Sequence, residues 1–596
     1  MTVGGLLLDL NNRVKRNTRF YMVLVALAIG VAGGYGAVGF RWLIHRFQEG
    51  LWRTPHFNIA HVESMPWWQV IAIPAIGGLL VGVIIRYWAT EAKGHGVPEV
   101  MEAVALKQGF IRARVVFAKA LGSGLTIASG GSVGREGPIV QIGAALGSTA
   151  GQVLRVGAGR MRTLVGCGAA AGIAAAFNAP VAGALFAVEI IVGDFGVPQF
   201  SPIVISAVAA TVVSRHVLGD VPAFEIPDYQ LVHAGEFVGY CVLGVLAALL
   251  ALSFVKLLYF TEDGFDGMKV PVIVKGALGG AAIGALALWS PGILGVGYES
   301  MTEALTGRLA VGAIAVLIIA KLLAVSITLG SGGSGGIFAP SLFLGSMLGA
   351  LVGAGVNALF PGQTAPPGAY ALVGMGAMVA AATHAPITAI LIIFEMTADY
   401  HVILPLMAAC IIATLFAQRL SRESIYTVKL SRRGVDIKAG QDVNVLRHIP
   451  VTDVLIEDAP RMDATERLRS MLMHMSMSEA PSFYVVDPDG RLKGVISMKE
   501  IRPALDESEL LGDLVVAEDV ADTHFPSVSI SDTLDTVLER LQTAFRQELP
   551  VLDGERLVGV VRVDDVLGRY RSEVRRREME ADVLGDRAAM AGKPRS

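Results

Sequence analysis

Charge is scarce in this chain: 17% of its 596 residues are charged, whereas 53% are hydrophobic. A water-soluble enzyme of this length would carry more charge, so that class is excluded. Cysteine is nearly absent. Cys167, Cys241 and Cys410 lie far apart in apolar stretches without CxxC spacing, which argues against zinc, thiol redox chemistry or a disulfide framework and leaves them as small core residues. A formal net charge of -3 offers no basic field to nucleic acid. Neither a Ser-His-Asp nor a Cys-His arrangement, metal-ligand spacing or a P-loop is apparent, which argues against catalysis. The N-terminus lacks the h-region and cleavage site of a secretory signal, so its first apolar run is expected to stay as a helix.

Glycine and long apolar runs are what the chain has instead. There are 69 glycines, well above the ~7% of average chains, and helices packed closely in lipid consume glycine. Between Phe20 and Gln418 apolar runs follow one another with short polar breaks, and charges become frequent from Ser421 onward. The first run, 21–40, is long enough to cross a hydrocarbon core of about 30 Å. Arg13, Lys15, Arg16 and Arg19 precede it, and Arg419, Arg422, Lys429, Arg432 and Arg433 follow the last run. Both termini are therefore expected on the cytoplasmic side.

Segments 138–151, 165–177, 181–193, 337–351 and 386–396 are short or interrupted by Gly and Pro, too short to span as straight helices. Broken helices are tolerated at membrane depth only inside protein or along a watery cavity, which points to a transporter or channel. Such breaks occur in both halves, around 94–138 and 330–340, and predict an inverted repeat, 20–218 and 237–426, with the substrate between the halves. A segment 1–19 precedes the membrane domain 20–426, and a linker 427–446 follows it. Beyond the linker, the segments starting at Phe483 and Leu549 both read as strand, turn, strand and helix, with Gly494 and Gly559 in matching places. Leu534, Val537, Leu538 and Leu541 share one helix face, with Ser531 and Asp532 as N-cap candidates. This predicts a soluble α/β pair, 447–508 and 509–571. The tail 572–596 is densely charged, and from Tyr570 onward a frayed helix or disorder is expected.

Three glycine-framed motifs stand out: GHGVPE at 94–99, GREGP at 134–138 and GGSGGIFAP at 332–340. Each precedes or opens an apolar helical run. A helix start carries unpaired N–H groups and about half a positive charge, and glycine lets a ligand approach the backbone. Several such starts aimed at one point hold an anion without a full cation. Glu136 stands among apolar and small residues with Arg135 beside it; a carboxylate at that depth costs roughly 2.5–3.5 kcal/mol and is functional by default. At a helix start it competes with an anion for the same N–H groups, so a carboxylate that swings or takes up a proton gates an anion path. The alternative is an ion pair with Arg135, against which neighbouring side chains at a helix start generally diverge.

GREGP, GGIFAP and, with one substitution, GHGVPE resemble the signature motifs of the CLC family of chloride channels and chloride/proton exchangers. The resemblance covers about residues 18–426, and the duplicated unit that follows looks like a CBS pair, extending it to about Arg571. It implies a polytopic α-helical CLC-like fold in a prokaryotic plasma membrane, a homodimer with one chloride pathway per subunit, and no required cofactor. Glu136 would be the gating glutamate. His95, Gly96, Val97, Gly134, Arg135, Gly137, Ile337, Phe338 and the hydroxyl of Tyr426 would surround the anion.

Two positions depart from the family pattern. His95 replaces the usual serine, or the proline of some nitrate-selective members, so that halide binding is expected to depend on pH; the alternative has the ring turned away onto a backbone carbonyl. Ile190 stands where exchangers carry an internal proton-transfer glutamate, one residue after Glu189. Isoleucine relays no proton, which favours a channel-like pathway; an antiporter with another proton route is the alternative. Glu189 is read as a helix-end or interhelical partner, Glu395 and Asp399 as capping or interhelical hydrogen-bonding residues with a pore-mouth role as the alternative, and Arg112, Arg114, Arg155, Arg160 and Arg162 as loop anchors. CBS pairs commonly hold adenine nucleotides through a G-h-h-S/T-x-x-D pattern. Here Ser497 is followed by Glu500, and in the second copy Arg562 replaces the hydroxyl residue while Asp565 remains, so one imperfect nucleotide site or none is expected, with a structural role for the pair preferred. A CBS-regulated divalent-cation pathway is the remote rival, but its carboxylates would have to converge at the midplane.

Overall fold

A computed structural model describes residues 18–433 and 446–576, except 56, 89–92, 194–196, 220–231, 234, 398, 447–448, 479, 506–511, 545, 571 and 574–575. Residues 1–17 of the expected segment 1–19, most of the stretch between the repeats, most of the linker and nearly all of the charged tail lie outside the described residues. The chain divides between Ile437 and Lys438 into two compact units.

The first half of the membrane unit runs α1 (Thr18–Trp52), α2 (Trp67–Tyr87), α3 (Val97–Leu106), α4 (Arg114–Ala128), α5 (Glu136–Leu154), α6 (Ala158–Phe177), α7 (Pro180–Phe186) and α8 (Val197–Leu218). The second half repeats that order as α9 (Glu236–Gly267), α10 (Val272–Ala287), α11 (Tyr298–Leu305), α12 (Val311–Gly330), α13 (Phe338–Leu359), α14 (Pro367–Thr383), α15 (Pro386–Thr397) and α16 (Ile403–Leu420). Among the described residues seven helices are long and apolar enough to cross a membrane: α1, α2, α8, α9, α12, α13 and α16.

The duplication is visible bond by bond. The Ser129 hydroxyl donates to Thr126 O and that of Ser331 to Thr328 O, both at 3.2 Å. The two copies also exchange contacts: Thr126 Oγ1 accepts from Ser334 N (3.3 Å) and Thr328 Oγ1 from Ser132 N (3.1 Å). Short helices α7 and α15 cap each other. Glu395 accepts from the amides of Val181 (3.0 Å) and Ala182 (2.7 Å), and Glu189 from those of Ile387 (3.3 Å) and Thr388 (2.7 Å). Each carboxylate thus satisfies the unpaired N–H groups at the start of the partner helix. Glu189 and Glu395 are interhelical caps, as read from sequence, and Asp399 accepts from the amide of His401 (2.9 Å).

The segment 337–351, expected to be too short to span, belongs to the 22-residue α13, and 138–151 and 165–177 lengthen to the 19-residue α5 and 20-residue α6. Glycine had suggested breaks, but it marks packing. Gly345, Gly349 and Gly353 form one stripe of α13 in which added Cβ atoms would strike Gly374 O, Tyr370 O and Pro367 Cα of α14. Gly143, Gly147 and Gly151 do the same for α5 against Gly168, Leu164 and Met161 of α6. Small residues at i, i+4 and i+8 let helix backbones touch, so the helix continues through them.

Lys438–Ser596 holds two three-stranded sheets of the same design, β1 (Arg461–Asp463), β2 (Ser482–Val486) and β3 (Leu492–Ser497), then β4 (Val528–Ser529), β5 (Glu548–Asp553) and β6 (Arg556–Arg562). In each the first pair is parallel and the second antiparallel. Gly494 lies opposite Val485 and Gly559 opposite Val551, so the two copies share one register. Tyr484, Val495, Leu557 and Val560 pack together and join the copies. The amphipathic helix begins at Leu534, later than Ser531 and Asp532 imply as caps. Asp532 accepts from the Ser529 amide instead (2.9 Å).

Candidate functional site

Three glycine motifs far apart in sequence form one backbone knot. Gly134 and Gly336 exchange both amide–carbonyl bonds (2.7 and 2.6 Å), while Gly94 donates to Gly333 O (3.2 Å) and accepts from Gly335 N (3.3 Å). Helices leave this knot directly: Gly96 is the residue before α3, Arg135 before α5 and Ile337 before α13. Val97, Glu136 and Phe338 are therefore first helical residues, followed by Gly137 in α5, and the three helix starts converge. The Phe338 ring packs against those of Phe177 (5.4 Å) and Phe186 (6.4 Å).

Glu136 is 1% exposed. Its Oε2 crowds the space beside Gly134 next to the Ala339 amide yet closes no hydrogen bond of ordinary geometry. Its Oε1 accepts from the Tyr298 hydroxyl (3.3 Å) and lies 4.0 Å from Arg135 Nε. The two neighbours thus share a side, contrary to the expectation that they diverge, because Arg135 lies over the Tyr298 ring at 5.3 Å. At 4.0 Å, with Nε making no hydrogen bond, this is a loose contact.

His95 is 4% exposed, and its Nδ1 is buried without a hydrogen-bond partner. The ring therefore does not rest on a carbonyl through that nitrogen. It faces Tyr426, centroids 5.9 Å apart, and Tyr426 is itself buried just before the short helix Thr427–Ser431. Around them lies a charged shell that the motifs do not reveal. Lys119 donates to Gly94 O (2.7 Å), and Lys429 pairs with Glu99 (2.7 Å). Lys119 has a counterpart in Lys321, whose ammonium donates to Ile293 O (3.0 Å), Gly295 O (3.0 Å) and Val296 O (3.3 Å). Both lysines are fully buried. Apart from Arg114 at the start of α4, each stands in a helix without other charges, the signal that could have found it. The loop Lys321 holds is GVGYES, 295–300, an unrecognised fourth motif that mirrors GHGVPE and brings Tyr298 to Glu136.

Two cavities with separate linings approach this region. One, about 740 Å³, is lined by Lys93, Glu99, Arg112, Gln141 and Lys429 and so reaches the His95 side. Arg112, expected to be a mere loop anchor, thus lines it. The other, about 580 Å³, is lined by Arg41, His45, Arg135 and Tyr298 and reaches the Glu136 side. Ile190 is buried in a π-helical stretch, Ala187–Val192, that continues α7.

In the soluble unit the Ser497 hydroxyl and amide both donate to Glu500. Burial raises the Glu500 carboxyl, but these two donors and its own amide outweigh burial and hold it below the ordinary value. Arg562 donates to Glu548 (3.3 Å), which also accepts from Tyr484 (3.1 Å), while Asp565 is exposed. Of the four candidate nucleotide contacts, three are thus engaged within the protein.

An inverted repeat whose helix N-termini converge between two cavities defines a multi-pass membrane protein that passes a small anion. The voltage gated chloride channel family model matches residues 77–418, and the chain belongs to that family, so it is a chloride transport protein and not an enzyme. A CBS domain model matches residues 516–572. A ClcB-like protein of Ralstonia nicotianae is 38% identical over 419 residues, 70% of this chain and 98% of that protein. The H(+)/Cl(-) exchange transporter ClcA of Vibrio parahaemolyticus is 33% identical over 431 residues, 71% of this chain and 92% of that protein. A slow cyanobacterial Cl-/H+ antiporter of solved structure superposes with a TM-score of 0.64 at 28% identity, over 69% of this chain and 97% of that one.

Proposed function

We propose that the protein passes chloride between its two cavities through the Glu136, His95 and Tyr426 region, with Glu136 as the gate and little or no proton coupling. The buried Glu136 carboxylate at the converging helix starts carries this reading, since it stands where an anion would bind. Its protonation removes the charge that competes with chloride. The amides at Gly134–Gly137, Gly96–Val97 and Ile337–Phe338, with the Tyr426 hydroxyl, are the anion's ligands. Weak coupling is supported by Ile190 and by Glu189, whose carboxylate is committed to capping α15. Antiport is the second reading, favoured by the exchange activity named for the Vibrio relative. We assign two such subunits to a homodimer in a bacterial plasma membrane, with both termini and the CBS pair cytoplasmic and the CBS pair structural rather than nucleotide-binding.

Purified protein in liposomes under an outward chloride gradient tests this, with chloride efflux and external pH recorded together. Efflux without proton movement is expected. Chloride-driven proton uptake at a fixed ratio would replace the channel-like reading with antiport, and absence of chloride flux would remove both.

His95 is expected to act through a ring N–H donor. Replacing it with Ala should weaken chloride binding about tenfold, the worth of one modest hydrogen bond to a charge, and His95→Ser should recover part of that. Isothermal titration with chloride reads this directly, and equal affinities in all three proteins would remove the ring as a ligand.

A further inference from the structure

A gate needs a group that holds charged Glu136 in place from the side of the 580 Å³ cavity. Tyr298 lies there, with its hydroxyl 3.3 Å from Glu136 Oε1 and its ring under the Arg135 guanidinium at 5.3 Å. Its own position is well determined. It is the first residue of α11, directly after Gly297 in the left-handed region at φ 88°, and Lys321 ties down the carbonyls of Ile293, Gly295 and Val296 just before it. An ammonium buried in an apolar helix is costly unless it is fully bonded, so this loop has little freedom to move. The two mirrored motifs have diverged in chemistry: GHGVPE presents His95 at one end of the knot, and GVGYES presents a phenol at the other.

We infer that Tyr298 is a positioning residue, a latch whose O–H donor holds the Glu136 carboxylate in the anion site and so sets how much acid opens the pathway. This rests on Glu136 being the gate. At 3.3 Å the bond is longer than a strong O–H···O contact, which suits a latch that must release. Arg135 is steered by the same ring, and its Nη2 reaches Ala176 O at 3.5 Å. Besides Arg135 and Tyr298, Tyr426 also bears on Glu136, and Arg41 bears on Tyr298.

The sign follows from the donor. A phenol O–H favours the charged, seated carboxylate, so its loss lets the carboxylate take a proton and leave at higher pH. Chloride flux from liposomes as a function of pH should therefore show the half-activation point of Tyr298→Phe moved about one unit alkaline, the tenfold effect of one hydrogen bond to a charge. Tyr298→3-fluorotyrosine, whose phenol is the stronger donor, should move it toward acid. Neither change should alter flux in a Glu136→Gln background. Unmoved half-activation in both Tyr298 variants, with Glu136→Gln insensitive to pH, would overturn the latch and leave the gate standing. Full pH dependence in Glu136→Gln would overturn the gate and the latch with it.

Discussion

Glu136→Gln should pass chloride at a rate nearly independent of pH, matching the maximal rate that the unaltered protein reaches only in acid. The carboxylate is buried where the α5 and α13 starts meet, beside Gly134 and the Ala339 amide. When charged it competes with chloride for N–H groups; when protonated it does not. The neutral amide of glutamine keeps the size of the side chain without the charge, so the pathway stays open at all pH values. Above its midpoint the unaltered protein should lose flux by up to about tenfold per pH unit, the limit for a single titrating group, and the variant should vary by less than about twofold over the same range. Liposome efflux at a series of pH values measures both. Unchanged pH sensitivity in the variant would transfer the role to His95, the other buried titratable motif residue.

Gly137→Ala should abolish both flux and stable folding. A Cβ at 137 would overlap His95 O and come 2.9 Å from Gly336 Cα, so it meets the first and third motifs at once. Both contacts are with backbone that is locked into the knot by the Gly134–Gly336 and Gly94–Gly333 bonds, and no side chain can turn away to relieve them. The cost should reach or exceed the ~3 kcal/mol upper end of ordinary overpacking. Gly355→Ala in α13 is the matching control, because nothing lies within 4 Å of its added Cβ; it should be neutral or stabilise by about 0.5–1 kcal/mol through helix propensity. Thermal unfolding in detergent, followed by size exclusion, separates the two. Equal melting temperatures for both variants would show that the knot is not tightly packed.

The soluble pair shows how far pattern reading goes. In sequence, the repeated strand, turn, strand and helix pattern with Gly494 and Gly559 in matching places predicts two copies of one unit, and both sheets have the expected design. By residue type Ser531 and Asp532 both read as caps, yet the helix begins at Leu534 and Asp532 bonds the Ser529 amide, a choice set by where the preceding strand ends. In the membrane unit glycine misled in the same way. A residue that breaks a helix in water and a residue that lets two helices touch in lipid are the same residue, and by sequence alone 337–351 reads as shorter than the helix that contains most of it.

Composition and local motifs alone established that the chain is a polytopic membrane protein, that it is duplicated, that GHGVPE, GREGP and GGSGGIFAP open helices, and that Glu136 is the carboxylate to explain. These are properties of a residue and its near neighbours, and hydropathy and helix-start chemistry act over that range. Tertiary structure decided the rest: that Tyr298 and Arg135 meet Glu136, that Lys119 and Lys321 hold the two motif loops, that Glu189 and Glu395 cap each other's helices, and that α13 runs a full 22 residues. Each of those depends on a partner brought close by the fold, 25 residues away for Lys119 and 162 for Tyr298 and Glu136, or on the packing of a neighbouring helix. An inverted repeat sets such pairings through its pseudo-symmetry axis, and an axis is a relation between segments in space that local sequence does not carry.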